Sequence, residues 1–199
     1  NTIECVSFTR SQSVDELPEL LEEVDWIFHL AGINRAKSID KFAAGNIGLT
    51  ESLCTAIKAA GRSIPVVLTS SIQADLDNAY GKSKRAAEEA LLKLHKATGN
   101  PVFIYRLPNV FGKLARPNYN SVVATFCHNI ARGLPIQIND PLAVIPLVYI
   151  DNVVESFVRL SVEGNNKQDT FVEVTPVHSV TVGELADQLY RFKTSRDNL

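Results

Sequence analysis

Tyr80 and Lys84 stand four residues apart in "AYGKSK", and Ser71 lies just upstream in "LTSSIQ". On a helix, positions i and i+4 sit one above the other on the same face, so the phenol and the ammonium point into a common space. A lysine charge beside a phenol favours the phenolate and lowers its pKa by about 1–3 units. That turns tyrosine into a usable proton donor or acceptor near neutral pH. Ser71 falls at the C-terminal end of an expected parallel strand, where open α/β sheets bind ligands, and its hydroxyl is placed to hydrogen-bond the same substrate oxygen. Alone, Tyr-x-x-x-Lys is a weak signal. With five tyrosines in the chain, chance supplies such a pair in roughly a quarter of chains of this composition, and a solvated pair at a helix start is the ordinary explanation. The serine and the parallel-sheet context raise the pattern above that.

The elements that must position these residues alternate along the chain. Apolar runs predict strands over 3–8, 26–31, 64–69, 102–107, 136–138, 144–149 and 170–174. Helical spacing predicts helices over 14–24, 39–60, 79–98, 120–132, 151–163 and 182–192, the first with Ser13 as N-cap and several stopped by Gly61, Gly99 or Gly133. Strands alternating with helices imply β-α-β units, a parallel sheet and right-handed crossovers. The near-continuous apolar run "IPVVLT" fits a strand covered on both faces. The fold class is therefore α/β, a Rossmann-type doubly wound parallel sheet with a smaller C-terminal substrate-binding region.

Composition excludes several functions. The chain has 199 residues, 45% hydrophobic and 21% charged, with a net charge of −2. Without a basic excess, neither nucleic acid nor an anionic membrane is an expected partner. Apolar runs such as 65–68 and 144–150 fall far short of the roughly 20 residues of a membrane helix, and no secretory signal opens the sequence. Cys5, Cys54 and Cys127 lack ligand or disulfide spacing, which fits a reducing cytoplasm and no metal site. His29, His95, His128 and His178 are dispersed and read as core or surface residues. The sequence opens on Asn1 and contains no methionine, which we read as a sign that it omits residues of the natural chain.

"TSSIQ" followed by "YGKSK" resembles the Ser/Thr-Tyr-Lys triad of the short-chain dehydrogenases/reductases, in the extended branch that modifies nucleotide sugars, the NAD-dependent epimerases and dehydratases. Other segments match in order. "HLAG" (29–32) resembles the strand end beside the cofactor. Asn46 in "AAGNIGLT" falls where the family supports its lysine through water. "YRLPNVFG" (105–112) and "LVYIDNVVES" (147–156) resemble two later family segments. "SSIQA", "YRLPNVFGK" and "RPNYNSVVATFCHNIA" are similar to the reductase domain of CapF-type enzymes of capsular polysaccharide synthesis.

The resemblance implies an NADPH-dependent reduction of the C4 ketone of a UDP-2-acetamido-2,6-dideoxy-hexulose. In it Tyr80 is the proton donor, Lys84 tunes Tyr80 and holds the nicotinamide ribose, and Ser71 binds the carbonyl oxygen. Arg10, Leu30, Ala31, Gly32, Tyr80, Lys84 and Leu107 would contact the cofactor. Ser71, Asn109, Lys113 and Arg116 would contact the UDP-sugar, with Asn46 in support. It also implies a dinucleotide-binding core over 1–110, a substrate-binding region over 111–199 and a cupin domain after the polar tail. A cytoplasmic homodimer through the helices 39–60 and 79–98 completes the expectation.

Departures from the family pattern refine these expectations. The family's Gly-rich phosphate loop should precede Ile3; it is absent from these residues, so the core is N-terminally incomplete as written. Ile145 stands where relatives often carry a diphosphate-binding arginine, which directs attention to Lys113 and Arg116. Ile72 and Gln73 replace the Asp-Glu pair of the dehydratases, so dehydration is disfavoured. After the strand 3–8, Thr9, Arg10 and Ser11 suit a ribose 2′-phosphate better than a 2′-hydroxyl, favouring NADP, with NAD possible. The alternatives are a UDP-sugar 4-epimerase that keeps NAD tightly bound and a non-catalytic, cofactor-sensing relative. Such relatives commonly lose the tyrosine or the lysine, and both are present here.

Overall fold

The computed structural model of the protein describes residues 3–34, 43–163 and 170–195. The chain forms two compact units, Asn1–Arg106 with Lys167–Val172, and Leu107–Asn166 with Glu173–Leu199.

The first unit is built on a three-stranded sheet in the order β1 (Ile27–His29), β2 (Val66–Ser71), β3 (Val102–Leu107). β1 runs parallel to β2, with Ile27 opposite Val66 and His29 opposite Leu68. Before it come a 3₁₀ turn (Val14–Glu16) and a short helix α1 (Leu17–Leu20). A π-helical turn (Ala43–Gly48) leads into α2 (Leu49–Ala60), and a 3₁₀ turn (Ile72–Asp75) leads from β2 to α3 (Ala79–Thr98). The central strand is buried as its apolar run requires: Val66, Val67 and Leu68 have no exposed surface. Leu53 and Ile57 of α2, Leu91 and Leu94 of α3, and Leu17 and Leu21 close one core with β2 and Ile104. Each fully buried leucine side chain contributes about 1.5–3 kcal/mol of hydrophobic stabilisation. Trp26 stacks on Phe103 with centroids 5.7 Å apart.

The second unit carries β4 (Asn109–Phe111), α4 (Val122–Ala131), β5 (Val144–Tyr149), α5 (Ile150–Glu163), β6 (His178–Thr181) and α6 (Val182–Thr194). β4 and β5 are parallel, with Asn109 opposite Leu147, and β6 adds antiparallel to β5. Phe126 and Ile130 of α4 pack with Leu185 and Ala186 of α6. Among the described residues no helix is long and apolar enough to cross a membrane.

Several expected elements differ. Residues 3–8 form no strand, since a strand exists only through pairing and the free edge of β1 carries no partner among the described residues. The helix expected over 14–24 shrinks to one 3₁₀ turn and α1: Ser13 does form a capping box with Glu16, but Glu22, Glu23 and Asp25 put negative charge where a helix C-terminus disfavours it. Of the helix over 39–60, residues 39–42 lie outside the described residues. The strand at 136–138 is absent, and 170–174 is reduced to a single bridge between Phe171 and Ile104. β4 and β6 were not expected. They are short and exist through pairing with β5.

Candidate active site

β2 ends at Ser71, whose extended backbone turns the chain into the 3₁₀ turn and whose Oγ accepts from the Gln73 N–H at 3.2 Å. The loop then returns to α3, which Asn78 caps by accepting from the Gly81 N–H at 2.8 Å. The loop lies against the first turn of the helix so closely that a Cβ on Gly81 would stand 2.1 Å from the Gln73 carbonyl oxygen and 2.8 Å from that of Leu76. This contact brings the Tyr80 phenol beside the Ser71 hydroxyl. Burial raises the Tyr80 pKa above the ordinary phenol value, and the neighbouring Ser71 hydroxyl pulls part of it back.

Lys84, 6% exposed, donates from Nζ to the Thr69 carbonyl oxygen at 2.7 Å. Burial lowers its pKa, against which the Glu88 carboxylate acts. The lysine was expected to depress the Tyr80 pKa. In the structure its ammonium is committed to Thr69 and burial decides the sign, so the Tyr80 pKa lies above its ordinary value.

A polar cluster surrounds the lysine. Asn46, in the π-helical turn, accepts from the Ile33 N–H at 2.7 Å and donates to the Ile33 carbonyl at 2.9 Å and to Ser83 Oγ at 2.8 Å. Ser83 in turn donates to the Tyr80 carbonyl at 2.7 Å. Thr50 spends its hydroxyl proton on the Asn46 carbonyl at 2.6 Å, so it accepts from Nε2–H of His29 at 2.8 Å. His29 is therefore the neutral Nε2–H tautomer, its pKa lowered to about 4 by burial and by the Lys84 charge. A Cβ on Gly32 would lie 3.2 Å from Asn46 Oδ1 and 3.3 Å from Lys84 Nζ.

Ser71, Tyr80, Lys84, Asn46 and Gly32 thus meet in one place in the first unit. Leu30, 58% exposed, and exposed Ala31 precede Gly32 at the end of β1. Arg10 is exposed in a turn closed by Gln12 N–H to Thr9 O at 3.1 Å. Leu107 is the half-buried last residue of β3. The substrate-side candidates lie in the second unit. Asn109 donates from Nδ2 to the Pro146 carbonyl at 3.2 Å. Lys113 pairs with Asp151 at 2.7 Å, which raises its pKa. The Arg116 guanidinium lies 5.8 Å from the Tyr119 ring centre. Among the described residues no group of His, Cys, Asp and Glu is placed to hold a metal.

Residue-by-residue reasoning missed Glu88 and Arg106. Glu88 is 2% exposed, on the turn of α3 after Lys84, and Arg106 donates to it from Nη2 at 2.7 Å. The signal was present, because Tyr80, Lys84 and Glu88 repeat at i+4, and Arg106 sits inside "YRLPNVFG".

Comparison with known proteins follows the same lines. A family model described as the NAD dependent epimerase/dehydratase family matches residues 2–172. A UDP-2-acetamido-2,6-beta-L-arabino-hexul-4-ose reductase from Pseudomonas aeruginosa is 56% identical over 197 residues, 99% of this chain and 53% of that protein. The chain therefore spans about half the length of this curated relative. The capsular polysaccharide assembling protein CapF from Staphylococcus aureus superposes with a TM-score of 0.82 at 40% identity, covering 95% of this chain and 51% of that one. A UDP-glucose 4-epimerase from Thermotoga maritima, 22% identical with a TM-score of 0.79 over 92% of this chain and 67% of its own, shares the fold.

Proposed function

The chain belongs to the NAD dependent epimerase/dehydratase family, and from that premise we propose that it is the reductase part of an enzyme of capsular or surface polysaccharide synthesis. Its reaction is the NADPH-dependent reduction of the C4 ketone of a UDP-2-acetamido-2,6-dideoxy-hexulose. The observation that carries this reading is Lys84, buried one turn after Tyr80 on the same helix and held by Nζ to the Thr69 carbonyl at the carboxyl end of β2, with the phenol beside Ser71. The printed name of the Pseudomonas aeruginosa relative supports the reaction class.

The residues fit a nicotinamide cofactor. Gly32 leaves open the space in which a Cβ would stand 3.3 Å from Lys84 Nζ, so backbone at the end of β1 faces the ammonium directly. Leu30, Ala31 and Leu107 would line the nicotinamide half, and Arg10 with Thr9 and Ser11 would meet a ribose 2′-phosphate, which favours NADP over NAD. The bound cofactor supplies the hydride. Ser71 holds the substrate carbonyl oxygen and sets its angle. Tyr80 gives its phenolic proton to the oxygen as charge develops there. Lys84 would hold the ribose hydroxyls of the cofactor, and its charge would favour the phenolate that Tyr80 leaves behind. Asn46 keeps Ile33 and Ser83 in place around the lysine. Asn109, Lys113 and Arg116 would hold the UDP diphosphate and sugar, Lys113 leaving Asp151 to do so. Residues 1–110 serve the dinucleotide and 111–199 the substrate, in a cytoplasmic homodimer.

The test follows NADPH absorbance when the complete protein meets a UDP-4-keto-6-deoxy-N-acetylhexosamine, with NADH in parallel. Consumption with NADPH that disappears in Tyr80→Phe is the expected result. No consumption, with NAD already bound to the purified protein, would overturn the reductase in favour of a 4-epimerase.

A further inference from the structure

Three anchors tie α3 and its preceding loop to the sheet. Lys84 donates to the Thr69 carbonyl, and the next residue of β2, Ser70, donates its buried hydroxyl to Glu88 Oε1 one helical turn further along. Two successive residues of the strand are thus matched to two successive turns of the helix, which fixes how far the helix can slide along β2. The third anchor comes from β3. Arg106 grips Glu88 through Nε and Nη2, at 3.0 Å to Oε1 and 2.7 Å to Oε2, and reaches with Nη1 to Asp75 Oδ1 at 2.7 Å. Asp75 belongs to the 3₁₀ turn between Ser71 and Tyr80. A single guanidinium therefore holds both the helix that bears Tyr80 and Lys84 and the loop that joins Ser71 to Tyr80. Its outer face lies 4.9 Å from the Phe171 ring centre, which limits its swing.

A planar five-donor fork can hold one carboxylate through two nitrogens while a third reaches another, a fixed geometry that a compact ammonium does not reproduce. Glu88 is 2% exposed, so burying a carboxylate there is disfavoured unless it is paired and hydrogen-bonded. A sheet-to-helix contact needs no charge, and an apolar pair would pack as well. What the charged trio adds is direction: it sets one helix height and one loop path, the two variables that decide where Tyr80 stands relative to Ser71.

We infer that Glu88 and Arg106 form a positioning clamp that holds Ser71, Tyr80 and Lys84 in reacting register without touching substrate or cofactor. The inference rests on the reductase reading for its kinetic consequence, but its structural content can be tested without turnover.

Two variants of the complete protein test it. Arg106→Lys keeps a cation for Glu88 but cannot also span to Asp75. Glu88→Gln keeps an acceptor for Ser70 and removes the charge. Because a misplacement of about 1 Å costs on the order of 100-fold, partial loosening predicts a kcat about 10-fold lower in each variant, with KM for the nucleotide sugar within about twofold. Hydrogen exchange of residues 72–80 should quicken while the buried remainder of α3 keeps its protection and the melting transition stays cooperative. Unchanged kcat and unchanged exchange at 72–80 would overturn the clamp. So would loss of kcat accompanied by faster exchange throughout the first unit in both variants, since that marks a purely structural role. If the unsubstituted protein fails to reduce the sugar, the proposed function falls, and the exchange pattern alone decides the clamp.

Discussion

The Lys84 ammonium donates to the carbonyl oxygen of Thr69 at 2.7 Å, two residues before Ser71, the serine beside the Tyr80 phenol. The strand end thus meets both the lysine and the tyrosine of α3, each at a different residue. A lysine held on a backbone carbonyl is restrained but not neutralised, because a carbonyl dipole stabilises the charge without competing for the proton. It is therefore available to exchange that bond for a better one when a hydroxyl-rich ligand arrives.

Removing the phenolic hydroxyl removes the proposed proton donor while leaving the ring to pack. Tyr80→Phe should lower kcat by about 100-fold or more with the fold intact. Ser71→Ala should also lower kcat, by losing the partner that aligns the carbonyl and the phenol. Steady-state kinetics beside circular dichroism spectra check both; a Tyr80→Phe enzyme with native turnover would remove Tyr80 from the mechanism.

His29 gives an acid-side signature of stability. Its folded pKa is pushed down to about 4 from an ordinary 6.5, so between those values the unfolded chain binds a proton that the folded one refuses. Stability is therefore lost as pH falls through that window, by about 3 kcal/mol when integrated. Urea unfolding at neutral pH and near pH 4.5 should show this slope, and His29→Gln should flatten it whatever it does to stability at pH 7.

Gly81→Ala sets two effects of opposite sign against each other. Helix propensity favours alanine by about 1 kcal/mol. The Cβ, however, would meet the Gln73 carbonyl oxygen at 2.1 Å, and that atom is backbone. Overpacking of this kind costs about 1–3 kcal/mol, so a lower melting temperature is expected, with kcat falling further as the loop is pushed from Tyr80. A rise in melting temperature would mean that the loop yields freely.

Lys113 and Asp151 form an exposed pair, and a UDP diphosphate would compete with the carboxylate for the ammonium. Lys113→Ala should raise KM for the nucleotide sugar several-fold with little change in kcat, an effect that weakens as salt is added. Asp151→Asn should lower KM, since it frees the lysine. KM values at low salt equal to that of the unsubstituted protein in both variants would place the diphosphate elsewhere.

The sheet-forming core was legible because its signals are local and repeated. The apolar run at 64–69 and the helix Ala79–Thr98, stopped by a glycine, announce themselves in composition and spacing; the structure has the helix there and the strand shifted by two residues, at Val66–Ser71. The site was legible in part. Tyr80, Lys84 and Ser71 are separated by distances that a strand, a loop and a helix span predictably. Segments 3–8 and 136–138 read as strands and are not, since apolar alternation states a capacity to pair and cannot supply the partner. β4 and β6 were missed for the converse reason, being made by β5.

What the sequence determined by itself is which residues share a helix face and which strand delivers a serine to its end, because these follow from the fixed periods of the backbone. Only the tertiary structure decided which of those residues touch. Lys84 chose the Thr69 carbonyl over the Tyr80 phenol, and burial set the direction of the Tyr80 pKa against the expected Lys84 effect. It also joined Arg106 to Glu88 and Asp75. Desolvation and contacts between residues distant in the chain depend on packing in three dimensions, which no local spacing encodes.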